Sequence, residues 1–262
     1  GQRGSDLKIN LEVTLEEAYQ GKKTTFNINS SDKCGTCSGS GAKPGSNTKT
    51  CGTCGGDGRV RSQQGFFTVQ QTCPDCRGEG EVVGSPCKDC SGFGTQKKKK
   101  TLSIQIPKGV DDGTRIRLSG KGEAGSKGGA DGDLYVYIQV RKHELFEREE
   151  ENLFYELPIS LADASLGTSI EVPNIDGTRS KVKIPAGTQT GKQLRLRDKG
   201  MPMLRGGGYG DLYLQIKVET PISLSKEQKE LLEKFKDLED SKNNPENQSF
   251  IKKAKKFWEN IN

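Results

Sequence analysis

The chain has 262 residues, 30% of them hydrophobic and 29% charged, with 34 glycines and a formal net charge of +6. That length suggests about two domains, and so small an apolar share calls for loop-rich units rather than one large core. The apolar runs are strand-sized, far short of the roughly 20 residues of a membrane span, and the modest charge, without a basic face interleaved with aromatics, argues against a nucleic-acid partner.

Gly1 to Ser5 reads as a flexible lead-in. Leu7, Ile9, Leu11 and Val13 alternate with Lys8, Asn10 and Glu12, the period of a half-buried strand. Leu15 to Gly21 follows as one helical turn ended by glycine, and Thr24 to Ile28 as a second strand with Phe26 and Ile28 on one face. Strand grammar then stops until Leu102, Ile104 and Ile106. The run Lys97 to Lys100 reads as a solvated edge where the interrupted sheet resumes. Beyond Pro107, a glycine-punctuated turn leads to Ile116 and Leu118, a flexible loop spans Gly120 to Gly132, and Leu134 to Val140 is a strand. His143, the single histidine, reads as a surface residue in a connection. With no second histidine, no Gly-x-Ser-x-Gly elbow and no phosphate loop, the chain is not expected to be an enzyme.

The interruption holds all eight cysteines in four copies of Cys-x-x-Cys-x-Gly-x-Gly, beginning at Cys34, Cys51, Cys73 and Cys87. Each Cys-x-x-Cys turn puts two thiolates on one side of a tight loop, and two turns complete the four sulfur ligands of a tetrahedral zinc. Two zinc ions per chain are therefore expected. Eighteen residues separate Cys54 from Cys73, within the spacing of paired turns, so Cys51, Cys54, Cys73 and Cys76 form one expected site. Cys34, Cys37, Cys87 and Cys90 form the other, and Phe66, Phe67 and Val69 a hairpin at the tip. A disulfide framework is the weaker reading, since adjacent turns of this kind favour metal or redox chemistry and no secretory signal is visible. Thiol exchange would be secondary, because thiolates committed to zinc exchange poorly.

After residue 143 the pattern repeats. Leu161 to Gly167 matches Leu15 to Gly21, Ile184-Pro-Ala-Gly187 matches Ile106-Pro-Lys-Gly109, and Tyr209 to Tyr213 matches Asp131 to Tyr135. Gly21 to Pro107 spans 86 residues against 18 from Gly167 to Pro185, a difference close to the length of the cysteine region with its flanks. The cysteine module thus interrupts the first copy of an internal duplication. Beyond Pro221 the period becomes helical: Ser225 caps a helix carrying Leu231, Leu232, Phe235 and Leu238, Asn243-Asn244-Pro245 breaks it, and a second helix runs from Ser249 to Asn260. Because this apolar tail follows two units that already look complete, it is expected to join a second copy of the chain.

This combination, the fourfold cysteine motif set into the first of two related β units and followed by a helical tail, is similar to the DnaJ family of co-chaperones of the zinc-containing type. The resemblance covers nearly the whole chain. No His-Pro-Asp tripeptide of the family's J domain occurs in it, so the chain resembles the client-binding and dimerising portion of a longer protein. The implied fold is mainly β: two β-sandwich-like domains in tandem (1–33 with 96–142, and 143–222), a two-zinc module (34–95) and a helical dimerisation tail (223–262). The resemblance also implies a groove in the first domain where an extended apolar segment of an unfolded polypeptide adds to a sheet edge, lined by Leu7, Phe26, Ile28, Leu102 and Val136. It further implies delivery of that client to a DnaK-type 70-kDa heat-shock chaperone, mainly through the J domain, and a cytoplasmic setting. Two other classes predict different behaviour: a nucleic-acid binder would lose affinity steeply with salt, and a thiol-disulfide oxidoreductase would turn over faster without zinc.

Overall fold

The structure, a computed structural model, describes residues 1–64, 67–126, 128–240 and 242–259. The first half comprises β1 (Leu7–Val13), α1 (Leu15–Gln20), β2 (Lys22–Lys33), β3 (Thr48–Thr50), β4 (Arg59–Gln64), β5 (Phe67–Thr72), β6 (Glu81–Val83), β7 (Thr95–Ile106), β8 (Arg115–Leu118) and β9 (Leu134–Val140). The second comprises β10 (Glu147–Glu149), β11 (Asn152–Ser160), α2 (Leu161–Leu166), β12 (Thr168–Pro173), β13 (Arg179–Ile184), β14 (Gln193–Leu196), β15 (Leu212–Glu219), α3 (Lys226–Leu238) and α4 (Pro245–Glu259). The chain is mainly β, with helices at its C-terminal end, and no described helix is long and apolar enough to cross a membrane.

The strands form small sheets: β1-β9-β8, β2-β7, β3-β6, β4-β5, β12-β13 and a four-stranded sheet of order β10-β11-β15-β14. β1 lies parallel to β9, with Ile9 opposite Val136, and β8 lies antiparallel to β9 on its other side. Two compact units emerge, one of Gly1–Tyr155, Glu171–Ser180 and Gln193–Leu214, the other of Glu156–Ile170, Lys181–Lys192 and Gln215–Asn262. Val13, Leu15, Ala18, Ile104, Ile106, Val136 and Ile138 are buried in the first, and Ile159, Ala164, Val182, Ile184 and Ile216 in the second.

The internal repeat is visible in its local chemistry. Thr14 caps α1 in a reciprocal box with Glu17, and Ser160 caps α2 by accepting from the Asp163 N–H. Asp133 accepts from the Gly120 N–H at 2.8 Å and pairs with Arg117 at 2.8 Å; Asp211 accepts from the Asp198 N–H at 3.0 Å and pairs with Arg195 at 2.6 Å.

The structure departs from the sequence reading at four places. The lead-in and the loop expected to be flexible are bonded to each other: the Gly4 N–H donates to Ala130 O at 2.9 Å, and the Ser126 and Glu123 N–H groups to Gln2 O and Ser5 O at 3.0 Å. β2 and β7 each run well past the apolar stretch, pairing continuously from Lys22 opposite Ile106 to Lys33 opposite Thr95. The lysine run lies inside β7, where backbone pairing to Ile28–Ser31 and the Lys100–Asp32 ion pair hold a polar strand in place. α4 begins at Pro245 rather than Ser249, because a proline that ends one helix is well suited to the first position of the next, where its missing N–H costs nothing. His143 is half-buried rather than a free surface residue: its Nδ1 accepts from the Leu145 and Phe146 N–H groups at 3.0 and 3.1 Å, which leaves Nε2–H to donate to Glu16 at 3.1 Å. Of the expected tip residues, Phe66 lies outside the described residues, while the β4/β5 ribbon occupies that place.

Candidate metal centres

Each Cys-x-x-Cys-x-Gly-x-Gly copy folds into the same knuckle. The residue after the second cysteine (Ser38, Gly55, Arg77 or Ser91) takes a positive φ between 52° and 62°. Both motif glycines are also left-handed, and the N–H of the last one donates back to the second cysteine: Gly41 to Cys37 at 3.3 Å, and Gly58 to Cys54, Gly80 to Cys76 and Gly94 to Cys90 at 3.2 Å.

Knuckles then pair reciprocally. The Cys34 N–H donates to Gly94 O and the Cys87 N–H to Gly41 O; the Cys51 N–H donates to Gly80 O and the Cys73 N–H to Gly58 O, all at 2.9 Å. Pairing brings the backbones so close that a Cβ on Gly80 would lie 2.3 Å from Gly56 O, and one on Gly58 2.4 Å from Gly78 O. The last glycine of each motif is therefore required twice over, by its φ and by its neighbour. Gly80→Ala should destabilise the inner cluster by about 2 kcal/mol or more, read as faster loss of metal to a chelator. Gly84→Ala, at a position where a Cβ meets nothing within 4 Å, is the control that should change nothing.

The sulfurs converge in two sets, Cys34, Cys37, Cys87 and Cys90, and Cys51, Cys54, Cys73 and Cys76, each with all Sγ atoms within 4.8 Å of one another. Facing sulfurs lie 4.0 Å apart for Cys34–Cys87, 3.7 Å for Cys37–Cys90, 3.8 Å for Cys51–Cys73 and 3.6 Å for Cys54–Cys76. A tetrahedral ion with sulfur ligands at ~2.3 Å needs edges of about 3.8 Å, whereas a disulfide needs ~2.05 Å. The residues fit a four-thiolate metal, and all eight thiols are free.

The electrostatics within each set are uneven. Burial pushes the Cys37 thiol up, but the N–H groups of Gly41 and Gly39 and the sulfurs of Cys34 and Cys90 outweigh it and bring it down to about 7. Cys76 follows the same pattern, with Gly80 and Gly78 as donors, and also falls to about 7. Cys90 is raised to about 11 by burial and by the sulfurs of Cys37 and Cys87, despite the Gly94 N–H. For Cys73 the Cys76 N–H lowers the value, yet burial and the Cys76 and Cys51 sulfurs carry it to about 11. One thiol in each set thus ionises readily and another resists, so a cation that draws all four into the thiolate form releases protons.

The groove residues are spread over four strands. Phe26 in β2 faces Leu102 in β7 as a cross-strand pair, and both are half-buried, as is Leu7 in β1. Ile28 is 5% exposed and Val136, in the middle of β9, is 0% exposed. Sequence reasoning missed a second shared feature of the knuckles. Thr36 Oγ1 donates to the Asp89 carboxylate and Thr53 Oγ1 to the Asp75 carboxylate, joining the two knuckles of each set. The signal was present, since the first two copies read Cys-Gly-Thr-Cys and the last two Cys-x-Asp-Cys.

Residues 7–221 match the family described as "DnaJ C terminal domain" and residues 227–260 the one described as "Chaperone protein DnaJ C-terminal region". The chain is 62% identical over 258 residues to the "Chaperone protein DnaJ" of Pelagibacter ubique, covering 98% of this chain and 69% of that protein. It is 56% identical over 260 residues to the protein of the same name from Cereibacter sphaeroides, covering 99% and 68%, and 53% identical over 260 residues to that from Brucella canis, covering 99% and 69%.

Proposed function

The chain belongs to the DnaJ family, and from that premise we propose that it holds unfolded polypeptides by their exposed apolar segments, with two zinc ions as structural ties and a second copy joined through residues 223–262. Cys34, Cys37, Cys87 and Cys90 hold one zinc and Cys51, Cys54, Cys73 and Cys76 the other. Bound there, zinc neutralises thiolate charge and cross-links the chain; it leaves no open position for catalysis. The reading divides the chain into a client-binding domain (1–33 with 96–142), the zinc module (34–95), a second β domain (143–222) and the tail. It is not an enzyme, it acts in the cytoplasm, and within a longer protein it would pass its client to a DnaK-type 70-kDa chaperone.

The observation that carries the reading is a half-buried apolar pair, Phe26 and Leu102, beside an open strand edge. β2 pairs only with β7 among the described strands. At Ser31 its outer side is closed, since the N–H donates to the Glu123 carboxylate at 2.7 Å and the carbonyl accepts from the Ala124 N–H at 3.0 Å. Alternate residues of a strand direct their backbone groups to the same side, so Thr25, Asn27 and Asn29 also point outward. An extended client segment can bond to these groups whatever its sequence, while its alternate side chains meet the face formed by Leu7, Phe26 and Leu102. Ile28 and Val136 are buried and do not belong to that face.

The test is suppression of aggregation of a heat-denatured reporter enzyme by the purified chain without ATP. Phe26→Ser with Leu102→Ser removes two partly buried side chains worth about 1 kcal/mol each to the contact, so roughly thirtyfold more protein should be needed for the same protection. Zinc content and far-UV dichroism should not change. Undiminished protection at wild-type concentration would sink the groove.

A further inference from the structure

The two threonine–aspartate bonds occupy equivalent places in the two clusters, and the assignment of zinc gives them a task. Thr36 and Asp89 are the residues immediately before Cys37 and Cys90, whose sulfurs face each other at 3.7 Å. Thr53 and Asp75 stand in the same relation to Cys54 and Cys76, at 3.6 Å. Elsewhere the paired knuckles are tied by backbone bonds from each first cysteine to the last glycine of the facing motif, Cys34 to Gly94 and Cys87 to Gly41 in one cluster, Cys51 to Gly80 and Cys73 to Gly58 in the other. The first-cysteine ends are therefore fastened by main chain, and the second-cysteine ends by one side-chain bond in each cluster.

We propose that Thr36–Asp89 and Thr53–Asp75 are latches: positioning pairs that hold the second-cysteine ends of facing knuckles together and so set how slowly each cluster gives up its zinc. The inference rests on the zinc reading above. A chelator takes a metal from a four-thiolate site by replacing the sulfurs one after another, and that requires the knuckles to separate. When Cys54 and Cys76 part, Thr53 and Asp75 must part as well. The bond broken is a hydroxyl donating to a carboxylate, stronger than a neutral pair but weakened by its exposure. Its loss should speed release by about fivefold while leaving the four ligands and their geometry untouched.

The experiment follows zinc transfer from the full chain to a chromophoric chelator, with zinc per chain measured beforehand. Thr53→Val and Asp75→Ala should each accelerate release from the inner cluster about fivefold, and the double variant should be no faster than either single one, because both remove the same bond. Thr53→Ser, which keeps the hydroxyl, should release at nearly the wild-type rate. Thr36→Val and Asp89→Ala should act likewise on the outer cluster alone. The absorption bands of the cobalt-substituted chain should be unchanged throughout, since the ligand set is intact. Release within twofold of wild type for both valine variants, additive acceleration in the double variant, or a serine variant as fast as the valine one would each overturn the latch. A wild-type chain that carries no zinc would instead defeat the metal assignment on which the latch stands.

Discussion

Serine in place of Cys54 and Cys76 is expected to leave one zinc per chain instead of two and to unfold the module between Cys51 and Cys76. On the proposed assignment, zinc would be the main support there. Among the described residues, Val60 and Val82 alone pack, half-buried, against the inner cysteines, and Val69 of β5 is 38% exposed, so little apolar burial would support the module without a metal. Structural zinc contributes an apparent ~10 to 16 kcal/mol at neutral pH, far more than two valines can replace. Limited proteolysis should cut first within 51–76, while the outer cluster keeps its ion, since its ligands come from separate knuckles. Two zinc ions retained by the variant would refute the ligand assignment. The pH dependence has a definite sign: protons compete with the cation for the thiolates, so zinc retention should fall as pH is lowered. The thiols raised to about 11, Cys73 and Cys90, are those that regain protons most readily once the ion leaves.

Leu231→Ser together with Phe235→Ser should turn a dimer into a monomer. Neither α3 nor α4 buries a single residue within the chain. Leu231, Phe235 and Leu238 are 65%, 56% and 82% exposed, and Phe250, Phe257 and Trp258 are 71%, 61% and 62% exposed. α3 also borders a cleft of about 690 Å³ whose other wall includes Pro158, Leu161 and Leu166. So much uncovered apolar surface on regular helices is the mark of an interface. Two substitutions in each of two chains remove four anchors. At ~1.5 kcal/mol or more apiece, association should weaken by roughly four orders of magnitude. Sedimentation equilibrium reads the result directly; a wild-type chain that is monomeric at tens of micromolar, or a variant that remains dimeric, would refute the tail's role.

The parts of this fold that sequence reasoning reaches are those governed by local rules. Leu7–Val13 alternates with period two, Leu15–Gly21 carries its cap and its glycine, and the grouping of cysteines follows from the nesting of four identical motifs. What escapes it is held by distant partners. Ser30, Ser31 and Lys97–Lys100 have no apolar pattern, and they are strand because β2 and β7 pair and because Ser30 donates to Gly122 O at 2.8 Å. His143 looks like a loop residue until Glu16, far off in sequence, is placed beside it. Phe26 and Val136 are alike in a strand pattern, and only packing separates a half-buried side chain from one that is 0% exposed. The motif glycines are an intermediate case. Their positive φ is readable, but the carbonyl that the last glycine of each copy touches belongs to another copy of the motif.

The nesting of the clusters also dictates an order of assembly. Facing cysteines are 22 positions apart in the inner cluster and 53 apart in the outer, a difference worth about 0.8 kcal/mol of closure entropy in favour of the inner one. Once it has closed, the outer knuckles hang on two short tethers and no longer have to search across the whole intervening chain. Assembly should therefore run from the tip inward, with Cys34 and Cys87 meeting last. Directly beyond them Lys33 and Thr95 are the first rung of the β2/β7 ladder. The entire excursion then acts as a single tight turn, and a hairpin that would otherwise have to find its register across a long loop starts from a fixed end.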